Sequence, residues 1–473
     1  MPSDTAYAPF DQTVVDAPPA IELAQGATME EMIAALWRLP RDIVSDGYDA
    51  ALYALATQVP MQIHEYASGT ECWTWIVPEK WTCNEAWLET ADGNRLFSYA
   101  DHPLHVVSYS LPFEGLVTRD QLFKHLHVHP TLPEAVPFVF KYYERDWGLC
   151  CTQRLKDSLT DEQYRVVIRT SFSPGTLKVG EVVVPGRSAD SIVLCAHLCH
   201  PRQVNDDLTG VVVGIDVMRH LMQCADLHYT YRLLIVPETI GSIAWLSHHE
   251  RLIPSMRGGL FLEMLGRDYP HALQLSYAGD AEVDMCFSLA LRASDVSAWT
   301  GKFRSVVGND ERQFNAPGVR VPMLSLSRVL PASSGIQFCP EYHSSDDTPA
   351  AVPSGALARS RELVLQMLDT IDRNSTPRNR FKGEVFLSRF GLHVDERTDP
   401  ERRRALFAVL DFVDGTMSLA EIAMRSGISF QTVREVVEQL AAVGLVDWPR
   451  ERARRGASPV SNPQDILAAS SQT

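Results

Sequence analysis

The sequence has little positive charge, no long apolar run and no paired-cysteine motif, and each absence excludes a class of protein. Its 473 residues hold 43 Lys and Arg against 59 Asp and Glu, a net charge of −16, which disfavours nucleic acid or an anionic membrane as the main partner. No stretch approaches the roughly 18 consecutive apolar residues of a membrane helix. The 9 Cys include no C-x-x-C pair, which excludes a zinc knuckle, and their scatter indicates a reducing cytoplasm without disulfides.

The two ends of the chain lack periodicity. Met1 to Ala20 has neither the basic start nor the apolar stretch of a signal peptide, so we expect a cytoplasmic protein. Residues 1–26 are rich in Pro, Ala and Asp, whereas residues 451–473 drift into Ser, Asn and Gln. Both segments are predicted to be disordered tails.

The remaining chain has the composition of a folded globular protein. Hydrophobic residues make up 45% and charged residues 22%, and at about 150 residues per domain the length allows roughly two to four domains. From Tyr164 onward, short apolar strands alternate with amphipathic helices, which predicts an α/β fold with a mixed, mostly parallel sheet flanked by helices. We expect this core to combine residues 27–70 with residues 136–375.

A small β domain is predicted as an insertion into this core, over residues 71–135. Short runs such as Trp73–Val77 are separated by turn signals such as Asp92-Gly93. The two predicted helices between Met29 and Ala56 carry an amphipathic stripe that needs a partner. Because the insert is too small to provide that partner, we expect those helices to pack on the α/β core.

A third unit, over residues 380–450, is predicted to be a winged helix. Ser418 and Glu421 fit a capping box at the start of a helix, and a second helix and a short strand follow. The presumed recognition helix carries Arg434 beside Glu435 and Glu438, whereas DNA readers need an excess of Arg or Lys. We therefore favour a packing or dimerisation module over a DNA reader.

Residues that bind metals recur where predicted strands end. His197 ends one apolar strand, and Asp206 follows it in the next loop. Glu238 and Glu263 stand at the ends of two more strands, and His343 lies near further carboxylates. Any one of these residues alone is more often a cap or a solvated group. Together they matter, because ligands in open α/β sheets bind at the carboxyl ends of strands. Imidazole and carboxylate ligands suit Zn²⁺.

The order of these motifs resembles the di-zinc aminopeptidases of the M28 kind. The shared order is His, Asn-Asp-x-x-(Ser/Thr)-Gly, Glu ahead of Gly-Ser, (Asp/Glu)-Met-x-Gly and His. The chain is still more similar to a bacterial aminopeptidase-like family that joins such a core to a small inserted β domain and a C-terminal winged helix. The resemblance covers roughly residues 28 to 450, and the matching stretches are 104–110, 147–150, 198–201, 237–242, 310–314 and 341–345.

The resemblance implies a role for each matching residue. His197 would bind one metal, Asp206 would bridge two, Glu263 would bind the first metal and His343 the second. Glu238 falls where the M28 pattern has a Glu-Glu pair that serves as general base and metal ligand, and we favour Glu238 as the general base. The implied cofactor is Zn²⁺, one or two ions per chain.

Three departures from the M28 pattern leave the metal count open. The Glu pair is single, because Pro237 and Thr239 flank Glu238; Cys199 stands where the pattern has an Asp that orients the His; and Glu263 replaces an Asp. These departures are compatible with a one-metal site or with a family-specific ligand, and the candidates are His200 and Asp346.

A charged loop, Asp310-Glu311-Arg312, resembles a substrate-facing loop of the same core. An acidic group there could pair with a free α-amine and Arg312 with a carboxylate. With Tyr342, these residues are the predicted substrate contacts, although such a loop can equally be only solvated.

The leading functional prediction is a zinc-dependent aminopeptidase-like hydrolase that cleaves an amide or peptide bond in a small substrate with a free amino end. An aminoacyl-conjugated biosynthetic intermediate is a variant of that substrate. The alternatives are a winged-helix regulator with a degenerate, ligand-sensing peptidase core, and a mono-zinc acyl transferase or cyclase on the same core. We expect a homo-oligomer and neither a membrane nor a nucleic-acid partner.

Overall fold

The structure is a computed structural model that describes residues 21–331 and 339–448. The predicted tails therefore lie outside the described residues, apart from 21–26. The described helices are α1 Met29–Leu36, α2 Asp46–Ala56, α3 Arg119–His125, α4 Gln153–Ser158, α5 Leu208–Leu221, α6 Ile240–His248, α7 Glu282–Ser294, α8 Glu311–Asn315, α9 Ala356–Arg373, α10 Pro400–Phe412, α11 Leu419–Ser426 and α12 Phe430–Ala442. The described strands are β1 Gln62–Ala67, β2 Glu71–Cys72, β3 Trp75–Ile76, β4 Lys80–Thr90, β5 Arg95–Ser98, β6 Phe113–Thr118, β7 Leu126–His127, β8 Leu149–Cys150, β9 Gln163–Ser173, β10 Thr176–Val184, β11 Ser191–His197, β12 Thr230–Val236, β13 Met256–Glu263, β14 His271–Gln274, β15 Trp299–Gly301, β16 Met323–Arg328, β17 Arg378–Asn379 and β18 Val446–Asp447.

An eight-stranded sheet in the order β1-β10-β12-β11-β13-β16-β14-β15 forms the core. The four central strands, β12, β11, β13 and β16, run parallel. The pairs β1–β10, β10–β12 and β14–β16 are antiparallel, and β15 runs parallel to β14. Every residue of β11 is buried, as expected for a strand covered by helices on both faces. The predicted fold class, a mixed and mostly parallel sheet flanked by helices, is confirmed.

The parallel strands bring their carboxyl ends to one edge of the sheet. His197 is the last residue of β11 and Glu263 is the last residue of β13. Glu238 follows the end of β12 by two residues. This edge is where a doubly wound sheet leaves a crevice for ligands.

The N-terminal segment belongs to the same sheet. β1 pairs antiparallel with β10 from Gln62↔Glu181 to Ala67↔Thr176, and Arg219 of α5 donates to the Ala27 carbonyl (2.7 Å). The segment thus closes the sheet on one side, as the amphipathic helices of the sequence suggested.

A separate four-stranded sheet has the order β5-β4-β9-β6. Its strand β9 was placed in the core by the sequence prediction, which ended the insert at residue 135, so the small sheet extends beyond that boundary. The reason is that β9 runs into β10 of the large sheet through only two residues, 174 and 175. No turn-rich linker marks the passage from one sheet to the other.

The C-terminal unit consists of α10, α11, α12 and the pair β17–β18, and the predicted winged helix is confirmed. The capping box of Ser418 and Glu421 is present. The unit is attached to the core through Asn374, whose side chain accepts from the Ala420 backbone (3.0 Å), while Trp448 donates to Ser375 (2.7 Å). Among the described helices, none is both long and apolar enough to cross a membrane.

Candidate metal centre and active site

Asp206 lies at the centre of a buried cluster of imidazoles. Its Oδ1 is 3.1 Å from His197 Nε2, and its Oδ2 is 3.1 Å from His343 Nε2. His200 Nδ1 lies 3.7 Å from Asp206 Oδ1. Each oxygen of one carboxylate therefore faces a different histidine.

Three overlapping groups of described residues have the geometry of metal ligands, each offering atoms within 4.8 Å of one another. Two of them share Asp206: one is His197, Asp206 and Glu263, and the other is His200, Asp206 and His343. The third consists of His197, Cys199 and His200. A carboxylate common to two groups is the arrangement of a ligand that bridges two ions. The sequence-predicted ligands His197, Asp206, Glu263 and His343 are thus brought together, and so is the alternative ligand His200.

The ligand atoms of this cluster fit a metal because they are buried and meet little besides one another. Apart from the imidazole–carboxylate contacts of 3.1 Å, no partner among the described residues satisfies His197 Nε2, either oxygen of Asp206, Glu263 Oε2 or His343 Nε2. Buried polar atoms in proteins are almost always paired. A set of neighbouring nitrogen and carboxylate atoms that is buried and unpaired suits Zn²⁺.

The adjacent carboxylates Asp206 and Asp207 have different contacts. Asp207 caps α5 by accepting from the Gly210 backbone (3.1 Å), and it also accepts from the Met264 (3.0 Å) and His197 (3.3 Å) backbones. The oxygens of Asp207 are therefore occupied by hydrogen bonds from main-chain N–H groups. The oxygens of Asp206 face the histidines, in agreement with the preference for Asp206 drawn from the sequence.

The alternative ligand Asp346 is exposed and belongs to none of the three groups. Its neighbour Asp347 is buried instead and accepts from the backbones of Val204 (3.1 Å), Asn205 (2.9 Å) and Asp206 (3.0 Å). Asp347 therefore holds the loop that presents Asp206, a positioning role that the sequence did not reveal.

Four non-glycine residues of the cluster have a left-handed backbone. The φ angles are +95° at His200, +63° at Thr239, +51° at Met264 and +53° at His343. Each of these residues is a candidate ligand or directly follows Glu238 or Glu263. Such conformations cost on the order of 1–3 kcal/mol and persist mainly where function requires them.

Cys199 occupies the position from which an M28 aspartate orients its histidine. Its sulfur lies 3.9 Å from His197 Nδ1 and accepts from the Glu238 backbone at 3.1 Å. Burial raises the pKa of the Cys199 thiol to about 11, so the group is neutral at pH 7. A neutral thiol polarises an imidazole less than a carboxylate does.

Glu238 stands at the rim of the centre, with 22% of its side chain exposed, and its Oε2 is 3.2 Å from His200 Nε2. Burial alone would raise its pKa, but the contact with His200 prevails and lowers the pKa of Glu238 to about 2. The carboxylate is therefore ionised at neutral pH.

The electrostatics of the centre favour a bound cation. Burial, together with the charges of Asp206 and Asp207, raises the pKa of Glu263 well above its ordinary value. Asn309 donates to Glu263 Oε1 (3.1 Å), but this neutral amide cannot balance the charge. A divalent ion would relieve the repulsion among these carboxylates.

The predicted substrate loop lies beside the metal ligands. Asp310 is buried and accepts from the Thr239 backbone (2.9 Å) and the Ser242 hydroxyl, while its Oδ2 has no partner among the described residues. Glu311 is instead engaged by Gln274 (3.0 Å) and the Asn309 backbone (2.9 Å).

The other two predicted substrate contacts have mainly structural partners. Arg312 donates to the Asn309 carbonyl at 2.9 Å, and the Tyr342 ring stacks on His343 with centroids 3.9 Å apart. Asp310 therefore has a buried oxygen left for a ligand.

Aromatic residues from 138–142 cover one side of the centre, and they were not among the predicted site residues. The Phe138 ring is 5.0 Å from that of His200 and 5.1 Å from that of His343. Phe140 is 42% exposed and lies 6.5 Å from His343. The proximity depends on backbone contacts with residues 343–345, so no local sequence pattern could have predicted it.

Comparison with known proteins places the chain in a family. A protein of Clostridium acetobutylicum, named for polysaccharide biosynthesis and an aminopeptidase-like domain, is 32% identical over 425 residues, which are 89% of this chain and 96% of the relative. A crystal structure from the same organism, named for a peptidase, has a TM-score of 0.79 at 31% identity and covers 89% of this chain and 95% of its own.

More distant structures share the fold. A zinc aminopeptidase from Bacillus subtilis has a TM-score of 0.54 at 13% identity, over 72% of this chain and 94% of its own. The chain thus has an aminopeptidase-like fold. Residues 375–448 match the winged helix-turn-helix family. Because residues 30–374 match the domain of unknown function DUF4910, the chain belongs to the DUF4910 family.

Proposed function

We propose that the protein is a zinc-dependent hydrolase that cleaves an amide bond in a small substrate with a free amino end. The observation that carries the proposal is the buried Asp206 carboxylate, whose two oxygens lie 3.1 Å from His197 and His343 and have no other close hydrogen-bond partner among the described residues. The aminopeptidase-like fold supports the same chemistry.

The candidate ligands divide between two positions. His197, Asp206 and Glu263 would hold one ion, and Asp206, His200 and His343 a second. What zinc supplies in such a site is Lewis-acid polarisation of the amide carbonyl and a water whose pKa is lowered to about 7.

In this proposal Glu238 is the residue that transfers the proton. The carboxylate is partly exposed at the rim, where it can meet the attacking water and take its proton. It then returns that proton to the amine that leaves.

The free amino end of the substrate would be held by acceptors beside Glu238. Asp310 Oδ2 and Asn309 Oδ1 are both buried without a partner among the described residues. Both atoms can only accept hydrogen bonds, so they complement a substrate ammonium group, and an ionised Asp310 would add charge complementarity.

The test combines metal analysis with one substitution. Glu238→Gln keeps the shape of the side chain but cannot take a proton, so we expect zinc to stay bound and hydrolysis of aminoacyl p-nitroanilides to fall about 10²–10⁴-fold. Glu250→Gln, at an exposed glutamate that accepts from Trp73, is the control and should keep full activity. Turnover by Glu238→Gln with zinc bound would remove Glu238 from the mechanism.

Metal analysis separates the remaining alternatives. Two zinc ions per chain favour the hydrolase, one favours an acyl transferase or cyclase, and none favours a ligand-sensing regulator. N-acetylated substrates serve as a matched comparison, because acetylation removes the ammonium group and should abolish turnover if that group is recognised.

The relative named for polysaccharide biosynthesis favours a particular substrate. We propose an aminoacyl-conjugated biosynthetic intermediate over general peptides. Faster cleavage of aminoacyl amides of amino sugars than of dipeptides with the same amino-acid residue would support this choice, and the reverse order would oppose it.

A further inference from the structure

The candidate metal centre is accessible at two of its side chains. His197, His200 and Asp206 have side-chain exposures of 0–2%. His343 and Glu238, in contrast, each have 22% of the side chain exposed. A substrate therefore approaches the centre beside these two residues.

Phe140 is an exposed aromatic residue next to His343. Its ring centroid lies 6.5 Å from that of His343, and 42% of the residue is exposed. Phe138 lies closer to the same imidazole, at 5.1 Å, but only 4% of it is exposed. Phe138 therefore packs against His343 from within, whereas Phe140 presents an aromatic surface to a molecule that approaches the imidazole.

Main-chain hydrogen bonds on both sides fix the position of Phe140. The Ser108 backbone donates to the Val139 carbonyl at 2.9 Å, and the Lys141 backbone donates to the Ser108 carbonyl, also at 2.9 Å. The Phe140 ring stacks on Tyr142, with centroids 4.5 Å apart and planes at 17°. Tyr142 thus covers one face of the ring and leaves the remaining surface to solvent. A ring that is held in place and partly exposed can contact a ligand without first being ordered.

The proposed acceptors for the substrate ammonium group lie at another part of the centre. Asn309 donates to Glu263 Oε1 at 3.1 Å. Glu263 and His343 belong to different groups of metal ligands, which have only Asp206 in common. A substrate with its amino end beside Asn309 and its scissile carbonyl near Asp206 would extend its leaving amine toward His343. Phe140 stands on that side.

The chemistry of a partly exposed aromatic ring favours a sugar as the group that lies on it. The electron-rich face of an aromatic ring attracts the C–H groups on the flat side of a pyranose, which are apolar and partly positive. The sugar hydroxyls need to stay in water, and the 42% exposure of Phe140 leaves room for that. An aliphatic leaving group would instead favour an enclosed apolar pocket.

We propose that Phe140 is a substrate-contacting residue that binds the sugar ring of the leaving amine in an aminoacyl amide of an amino sugar. The contact lies outside the reacting bond, so Phe140 determines which leaving groups are bound tightly and does not take part in breaking the amide. The inference rests on the proposed function, since it assumes hydrolysis of such an amide at this centre.

Three variants test this role. Phe140→Ala removes the ring, whereas Phe140→Tyr keeps it together with its stack on Tyr142. Phe386→Ala is the matched control, because Phe386 is also an exposed phenylalanine, at 72%, but lies between β17 and α10, outside the core. Zinc content should be the same in the wild type and in all three variants, since none of them changes a metal ligand.

The first measurement compares two substrates that differ only in the leaving amine. For Phe140→Ala we expect kcat/KM on an aminoacyl amide of glucosamine to fall about 5–10-fold, the size of a lost aromatic contact, while kcat/KM on the primary amide of the same amino acid changes less than about twofold. Phe140→Tyr and Phe386→Ala should match the wild type on both substrates. Equal losses on the two substrates would overturn the inference, and so would a loss that follows the amino-acid side chain instead of the leaving amine.

The second measurement needs no turnover and uses the zinc-loaded full chain with glucosamine. In saturation-transfer NMR, irradiation of the aromatic protons of the wild type should reach the ring C–H protons of the sugar. The transfer should persist in Phe386→Ala and be lost in Phe140→Ala. Transfer of equal strength in Phe140→Ala, or none in the wild type, would contradict the inference.

The outcomes distinguish this inference from the proposed function. If the wild type hydrolyses both amides and Phe140→Ala loses nothing on the sugar conjugate, the inference is wrong and the hydrolase stands. If the wild type binds zinc but cleaves neither amide, the proposed function fails, and the role of Phe140 fails with it.

Discussion

Arg41 is a fully buried arginine that joins the N-terminal segment to the candidate metal loop, and its removal tests how that loop is held. Its guanidinium donates to four main-chain carbonyls: Leu36 (2.8 Å), Leu198 (2.8 Å), His200 (3.0 Å) and Gln203 (2.7 Å). Burial lowers the pKa of Arg41 to about 10, so the group is still charged at pH 7.

Arg41→Met keeps the apolar stem but removes every donor. The Leu36 and His200 carbonyls also accept from the Leu39 (3.2 Å) and Gln203 (3.4 Å) backbones. The cost, about 1–3 kcal/mol for each carbonyl left without a partner, therefore falls on Leu198 and Gln203 and is partly offset because no charge is then buried. We therefore expect the free energy of unfolding to fall by about 3–5 kcal/mol. Because three of the carbonyls lie between residues 198 and 203, the apparent zinc affinity should also fall about 10–100-fold.

Arg219→Met is the matched control. Arg219 also donates to main-chain carbonyls, those of Ala27 (2.7 Å) and Gln58 (3.4 Å), and so fastens the same N-terminal segment, but none of its contacts lies in the metal loop. We expect its zinc affinity to equal that of the wild type and its stability to fall by about 1–2 kcal/mol. Urea unfolding followed by tryptophan fluorescence and competition with a chelator measure the two quantities. If Arg41→Met unfolded within 1 kcal/mol of the wild type and bound zinc normally, the reasoning would be refuted.

Three further predictions concern other parts of the chain. Cys199→Asp should raise zinc affinity about 10–100-fold, because a carboxylate orients His197 more strongly than a thiol; equal or weaker binding in chelator competition would contradict this. Burial, with nearby Arg328, lowers the pKa of His271 to about 4, so stability should be lost as pH falls from about 6.5, the unfolded value, to about 4. In His271→Asn, the urea midpoint of unfolding should depend less on pH over this range than in the wild type. Equal pH dependence in the two proteins would contradict the prediction. The full chain should bind duplex DNA no tighter than the 10⁻⁴–10⁻⁶ M range of non-specific binding at physiological salt, since Glu435 and Glu438 are exposed on α12; tighter, steeply salt-dependent binding would promote the regulator.

The sequence was most informative where structure is periodic. Parallel strands place their last residues at one edge of the sheet. The proximity of His197 and Glu263 could therefore be predicted from the strand pattern alone. Loops carry no such constraint. Asp346 and Asp347 are adjacent carboxylates, yet only the second faces inward, and nothing in their neighbours distinguishes them.

Long-range contacts explain what the sequence did not reveal. Phe138 meets His343 through a main-chain hydrogen bond between segments that lie far apart along the chain, and no local period encodes such a contact. The boundary of the small sheet was misplaced for a related reason, because β9 continues almost directly into β10.

The order of strands in the large sheet has a consequence during synthesis on the ribosome. β1 leaves the exit tunnel early, but its partner β10 begins only at Thr176, and the neighbouring central strands come later still. At about 5–20 residues per second, the hundred or so residues between them take on the order of 5–20 s to translate. Throughout that interval the nascent chain presents an unpaired strand and two apolar helix faces, so a chaperone has a defined segment, residues 29–67, to protect until the sheet can close.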